Sequence, residues 1–174
     1  MLKRILFAHR AANLGGSQNS TYTRMKALLP LGIESESLFY KSGAGIATFS
    51  DFPSYVTSSA ERQAAIIERG EYDLVSVINV APFIKVLHKA GYPGKTMLEI
   101  RGRAYLALGQ CPELTANDLD AILVPSHYVR SLVEKVLVDN TIPIYVLPNG
   151  VDTNLFSPLR RSSAPIRKFA RPNR

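Results

Sequence analysis

The chain has 174 residues, the usual length of one domain, and its 46% apolar and 20% charged residues are typical of a folded globular protein rather than a disordered one. Its 11 glycines and 11 prolines exclude a collagen-like or low-complexity chain, and the single cysteine, Cys111, can form neither a disulfide framework nor a cysteine metal site. We therefore expect a cytoplasmic protein, with contact to the inner face of a membrane as an open alternative.

The net charge of +7 belongs to the end of the chain. Residues 159–174 hold six arginines and lysines and no acid, whereas residues 1–158 hold 15 basic and 14 acidic side chains. We predict a globular domain over residues 1–158 and a basic tail, or truncated interdomain linker, over residues 159–174. An arm for an anionic partner is the alternative, but we do not expect nucleic-acid binding. No apolar run reaches the ~20 residues of a transmembrane segment.

Short apolar runs alternate with helical patterns along the globular part. Residues 4–8 predict a first strand, because such runs are typical of buried parallel strands. A helix follows over residues 17–29, with Pro30 and Gly32 as its stop signals. Residues 37–40 then predict a second strand.

Residues 42–56 predict a loop, since they are rich in glycine and serine and include a proline. Ser58 and Glu61 form a capping box for a second helix, and Ser126 is placed as the N-cap of the last one. The other predicted elements are strands at residues 74–78, 96–100, 121–124 and 144–147, and helices at residues 58–69, 82–89 and 127–137.

This alternation predicts an α/β fold, a Rossmann-like parallel sheet with helices on both faces. Ligands of such sheets bind beyond the carboxyl ends of the strands, so the loops that follow the strands are the candidate site. The first of these loops contains Gly15 and Gly16, whose backbone can approach a ligand, and Ser17 begins a helix whose N-terminus favours an anion. A tight turn without a ligand is the alternative, because neither the dinucleotide fingerprint nor a Walker lysine is present.

Two arginines, Arg101 and Arg103, follow the fourth predicted strand and flank a glycine. They could hold a phosphate or carboxylate, or lie in a solvated loop or an ion pair with Glu99 or Glu113. Among the histidines, His9 at the tip of the first strand is the best placed for a ligand. The histidine, cysteine and acidic residues show no metal-ligand spacing, and a nucleophile elbow is absent.

Together with the segment Glu99–Arg103, three longer segments resemble the N-terminal domain of retaining family 4 type glycosyltransferases, which have the glycosyltransferase-B fold. LPNGVDTNLFSP is similar to the family's strand-end segment that leads out of the first domain. DAILVPSHYVRSLVEK is similar to the strand–serine–helix segment before it, and LGGSQNSTYTRMKALLPLGIES is similar to the first loop and helix. The order and spacing fit over residues 3–158.

The resemblance implies two Rossmann-like domains with a cleft between them, of which this chain is the acceptor-side half. A nucleotide-sugar would be the co-substrate, with no cofactor and no metal, and the acceptor would be a hydroxyl of a glycan, lipid or other molecule. By similarity, Gly15, Gly16, Asn149 and Gly150 would contact the donor or its diphosphate. The expected acceptor or cleft residues are His9, Asn13, Ser17, Arg101, Arg103 and Ser126, and no residue is assigned as catalytic.

Two departures from the family pattern matter. No two glutamates have seven residues between them, as the donor-binding domain of the family requires, and Arg101 stands where the family often has a histidine. We therefore expect the isolated chain to be inactive and to need a donor-binding domain, or to pair with itself through its exposed cleft face. The alternative is a non-catalytic Rossmann-like binding or assembly module that pairs with a partner chain.

Overall fold

Parallel strands form the centre of the fold in the computed structural model, which describes residues 2–103, 107–111 and 113–150. In these residues the strands are β1 Arg4–Ala11, β2 Glu34–Lys41, β3 Ser54–Val56, β4 Leu74–Ile78, β5 Lys95–Glu99, β6 Ala121–Val124 and β7 Ile144–Val146. They form one sheet in the order β3-β2-β1-β4-β5-β6-β7, and every neighbouring pair is parallel. The predicted α/β Rossmann-like sheet is confirmed.

Helices cover both faces of this sheet. They are α1 Gly16–Leu28, α2 Ala60–Gly70, α3 Phe83–Lys89 and α4 His127–Glu134. Successive side chains of β1 point to opposite faces, so Ile5 and Phe7 pack with Met25 of α1, whereas Leu6 and Ala8 join the larger core with α2, α3 and α4. Burial on both sides explains why residues 5–8 of β1 form a continuous apolar run instead of an alternating one.

Some predicted boundaries are wrong by a residue or more. The N-cap of α2 is Ser59, whose Oγ accepts a hydrogen bond from the N–H of Arg62 at 3.3 Å, and not Ser58. Glu61 is therefore too early in the helix for the predicted capping box, and its carboxylate accepts from the Ser59 hydroxyl instead. The predicted stop after α1 is confirmed: a 3₁₀ turn with Pro30 follows it, and Gly32 has a φ of 72°.

The prediction of an irregular loop over residues 42–56 is also wrong. The segment contains a 3₁₀ turn, Ile46–Phe49, and the edge strand β3, which pairs with β2 over three residues. Its strand signal is weak because only Tyr55 and Val56 favour the extended conformation. Phe49 and Phe52 anchor the segment in the core with α1.

The predicted domain boundary at residue 158 and the basic tail over residues 159–174 lie outside the described residues. Among the helices that the structure describes, none has the length and apolar character of a membrane span.

Candidate functional site

A cleft of about 690 Å³ lies at the carboxyl ends of β1, β2, β4 and β5. His9 of β1, Asn13 of the turn after it and Ser17 of the first turn of α1 contribute to its lining, and Arg103 comes from the segment after β5. These four residues were predicted from the sequence, and the structure brings them into one cavity. Lys41, at the end of β2, also lines the cleft.

A second cavity of about 610 Å³ lies at the opposite, amino edge of the sheet, where Tyr72 and Tyr92 line it. The Tyr72 hydroxyl is committed to the buried carboxylate of Glu36, to which it donates a hydrogen bond at 2.5 Å. Parallel α/β sheets bind ligands at the carboxyl edge, so the 690 Å³ cleft is the candidate site.

The turn between β1 and α1 leaves a helix N-terminus open beside the cleft. Gly15 is the N-cap and no side chain caps the helix. The Asn19 N–H bonds to the Gly15 carbonyl at 3.0 Å, which leaves the earlier amide groups of the first turn without an intrahelical partner. A Cβ on Gly16 would meet no atom within 4 Å in the described part of the chain. The fold itself therefore does not require glycine at position 16.

Below this turn, the buried carboxylate of Glu99 connects three elements. One oxygen accepts hydrogen bonds from Arg24 Nη1 at 2.6 Å and from the Ser76 hydroxyl at 2.5 Å. The other accepts from Arg101 Nε at 2.8 Å and Nη2 at 2.5 Å, and Arg101 Nη1 donates to the carbonyl of Ser17 at 2.8 Å. Burial alone would raise the pKa of Glu99, but the charges of Arg101 and Arg24 outweigh burial and hold that pKa below its ordinary value.

The structure shows Arg101 in an ion pair with Glu99, one of the alternatives that the sequence left open. Only 6% of the Arg101 side chain is exposed, and it is paired with Glu99. Arg101 does not line the cleft, whereas Arg103 does. Arg101 therefore fixes the first turn of α1 to the end of β5.

His9 is buried against the aromatic core under the cleft. Its ring stacks on Phe39 with centroids 5.4 Å apart, and 2% of the residue is exposed. Burial first, and then the positive charge of Arg101, lower the pKa of His9 to about 3, so the imidazole is neutral at physiological pH. Its Nε2 atom is buried and has no hydrogen-bond partner among the described residues.

The loops after β1 and β2 touch each other through their backbones. The Gly45 N–H donates to the Ala12 carbonyl at 2.7 Å, and the Ala12 N–H donates to the Lys41 carbonyl at 3.0 Å. A Cβ on Gly45 would lie 2.3 Å from the Asn13 carbonyl oxygen, and one on Gly43 would lie 2.5 Å from that of Ala12. Glycine is required at both positions for this close approach.

The last predicted site residues lie at the β6 and β7 end of the sheet. Ser126 is the N-cap of α4, with its Oγ accepting from the Val129 N–H at 3.2 Å, and it does not line the cleft. Asn149 reaches α1, where its side-chain oxygen accepts a hydrogen bond from the Ser20 hydroxyl at 2.9 Å. Gly150 is the final described residue. The described residues contain no cluster of histidine, cysteine and acidic side chains that could hold a metal ion.

Several site residues were missed from the sequence. Arg24 and Ser20 fall on the same face of α1 as Ser17, since they are three, four or seven residues apart. That spacing, beside a charged residue at the end of a buried strand, was the available signal for the contact with Glu99. Arg10 and Lys41, which line the cleft, stand near the carboxyl ends of β1 and β2.

The chain shares its fold with about half of each of two solved structures, which confirms the predicted Rossmann-like half-domain architecture. HepE from Anabaena, solved in complex with UDP-glucose, matches 88% of this chain over 45% of its own, with a TM-score of 0.67 and 16% identity. A glycosyltransferase from Rickettsia africae ESF-5 matches 93% of this chain over 47% of its own, with a TM-score of 0.67 and 17% identity.

The chain thus spans less than half the length of these two solved structures. At such low identity the likeness concerns the fold. No family model and no curated protein matches the sequence.

Proposed function

We propose that this chain is the acceptor-side domain of a glycosyltransferase, which moves a sugar from a nucleotide-sugar to a hydroxyl of a glycan, lipid or other acceptor. The observation that carries the proposal is the fold match of 88% of the chain to less than half of a protein solved with UDP-glucose. A second domain would bind the nucleotide-sugar, and the 690 Å³ cleft would hold the acceptor.

In glycosyl transfer, this domain would position the acceptor and stabilise the negative charge that develops on the leaving group. An acceptor hydroxyl must be held at the anomeric carbon of the donor, and the nucleoside diphosphate that departs gains negative charge. The open N-terminus of α1 offers amide N–H groups and the positive end of the helix dipole to that charge. The absence of a side chain at Gly16 lets the phosphate oxygens approach this backbone.

The Glu99 cluster supports the same role indirectly. Because Arg101 donates to the carbonyl of Ser17, the first turn of α1 cannot move away from β5 without breaking this hydrogen bond, and the Arg24–Glu99 ion pair holds the same helix further along. Preorganised donors stabilise a transition state better than mobile ones, since they need no reorganisation during the reaction.

The test uses the natural gene product that contains these residues. Reading the coding sequence beyond Arg174 comes first, followed by an assay of nucleoside diphosphate release from a panel of nucleotide-sugars with and without glycan and lipid acceptors. We expect acceptor-dependent release, and a rate at least ~10³-fold lower for the isolated 174-residue chain, because it lacks the donor contacts. The proposal is wrong if the whole gene product neither binds nor cleaves any nucleotide-sugar.

The second candidate is a non-catalytic assembly module, and the exposed apolar side chains of β7 favour it. Ile144 and Val146 pack on the larger core, whereas Tyr145 and Leu147 point to the other face and are 59% and 47% exposed. Exposed apolar groups on one face are typical of a surface that another protein covers.

A further inference from the structure

The charges around the 690 Å³ cleft are all of one sign. Arg10, Lys41 and Arg103 line it, and none of the described lining residues is an aspartate or glutamate. The three cations come from the ends of three different strands, β1, β2 and β5, so the fold brings them together and no local charge run does. A cavity surrounded by cations raises the local concentration of anions.

A partly buried excess of positive charge lies next to the same cavity, where the side chain of Arg101 is 6% exposed and that of Arg24 is 21% exposed. Two guanidinium groups, those of Arg24 and Arg101, face the single carboxylate of Glu99, and Arg101 is bonded to Ser17 of the cleft wall. Removing an uncompensated charge from water is unfavourable. An anion in the cleft offsets this excess, whereas a neutral ligand leaves it in place.

A buried polar residue lies directly beneath the cleft. His9 is among the residues that line the cavity, but its ring packs on Phe39 and only 2% of the residue is exposed. Its Nε2 atom is itself buried and has no hydrogen-bond partner among the described residues. The imidazole therefore offers the cleft no negative charge that would compete with a bound anion.

We propose that the acceptor bound in this cleft carries an anionic oxygen group, a phosphate ester or a carboxylate, which Arg10, Lys41 and Arg103 bind. This proposal rests on the proposed function, because it takes the ligand of the cleft to be the acceptor of a glycosyl transfer. Gly15 and Gly16, where the donor diphosphate is expected, are not among the residues that line the cleft. Ser17 and Gln18 of the same helix turn do line it, so the cations form a second anion site that adjoins the open N-terminus of α1.

The experiment is an NMR titration of the ¹⁵N-labelled 174-residue chain at low salt with glucose, glucose 6-phosphate, glucuronate and UDP. We expect glucose 6-phosphate or glucuronate to bind at least about tenfold more tightly than glucose, since a charge-assisted pair is worth more than a neutral hydrogen bond. Shifts should centre on the amides of Arg10, Lys41 and Arg103. The stronger of the two anions identifies the phosphate or the carboxylate as the natural group.

Matched variants separate the cleft from the general surface. Arg103→Gln and Lys41→Gln should each weaken binding of the anionic sugar by about tenfold. Arg62→Gln and Lys135→Gln remove the same charges from exposed positions on α2 and after α4, and they should leave binding unchanged.

Two results would overturn the proposal. The first is binding of both anionic sugars no tighter than that of glucose. The second is UDP displacing the anionic sugar from these three cations with higher affinity, because the site would then serve the donor. Neither result touches the proposed function, which fails only if the whole gene product shows no nucleotide-sugar chemistry.

Discussion

Glu99 is a carboxylate with 1% exposure, and it joins β5 to α1 and β4 through Arg24, Arg101 and Ser76. Removing one partner of a buried ion pair leaves the other charge without compensation, which is more costly than the pair is worth. Glu99→Gln should therefore lower the free energy of unfolding by about 3 kcal/mol, as measured by urea denaturation.

The matched control for this variant is Glu113→Gln. Its carboxylate pairs with Lys85 at the surface, where both side chains are 57% exposed. Exposed pairs contribute little to stability, so the midpoint of unfolding should hardly move. Equal losses in the two variants would show that the Glu99 cluster is no more important than a surface pair.

His9 makes the stability of the fold depend on pH. Its pKa falls from 6.5 to about 3 on folding, so between these values the unfolded chain binds more protons than the folded one. Stability is complete above pH 6.5 and decreases as the pH falls toward 3. This group alone should lower the free energy of unfolding by about 2 kcal/mol between pH 7 and pH 5.

Urea denaturation at pH 7 and pH 5 measures this effect, and His9→Gln should remove most of it. His127→Gln, at an exposed position in the first turn of α4, should keep the wild-type pH dependence. The lowered pKa of Glu99 acts below pH 4.5 and does not contribute in this window. An unchanged slope in His9→Gln would show that another group is responsible.

At the scale of elements, a substitution in the first turn of α1 should affect stability and donor binding differently. Gly16→Ala places a methyl group in open space, and Ala is favoured over Gly in a helix, so stability should stay equal or rise by up to about 1 kcal/mol. If phosphate oxygens approach this backbone, the same variant should weaken nucleotide-sugar turnover in the whole gene product by about tenfold or more.

Thermal unfolding and a steady-state assay of the same preparation check this pair of expectations. Lys26→Ala, an exposed substitution on the last turn of α1, is the control for a general effect on the helix. A normal rate in Gly16→Ala would show that the donor does not contact this turn.

Most strands and helices were predictable from the sequence, because buried strands appear as short apolar runs and helices are marked by capping and stop residues. The edge strand β3 was missed, since three residues paired on one side only carry little pattern. The contact between Arg24 and Glu99 was missed for another reason: these residues are 75 positions apart, and their meeting depends on how α1 packs across the sheet. The sequence thus predicted the cleft edge and, as one alternative, the Arg101–Glu99 pair, but not the Arg24–Glu99 pair that joins α1 to it.

For the whole molecule, the open face of the sheet at β7 should favour association. We expect the isolated chain to self-associate at high concentration through Tyr145 and Leu147, because both are exposed on the face opposite the larger core. The double variant Tyr145→Ser/Leu147→Ser should dissociate at about tenfold higher concentration, as measured by light scattering.

Tyr128→Ser is the control, since this tyrosine is 72% exposed on α4, on the other side of the sheet. An isolated chain that stays monomeric would remove the reason for the assembly-module alternative. Association that only the β7 variant weakens would support it.

The backbone contact between Gly45 and Asn13 limits how this cleft can be redesigned. On the proposed function, a change of acceptor preference requires new residues in the loop after β1 or the loop after β2. A library in one loop alone should return glycine at positions 43 and 45, because any other side chain there collides with the neighbouring backbone. New specificities should emerge only from libraries that vary both loops together. In natural relatives, changes in one loop should be accompanied by changes in the other.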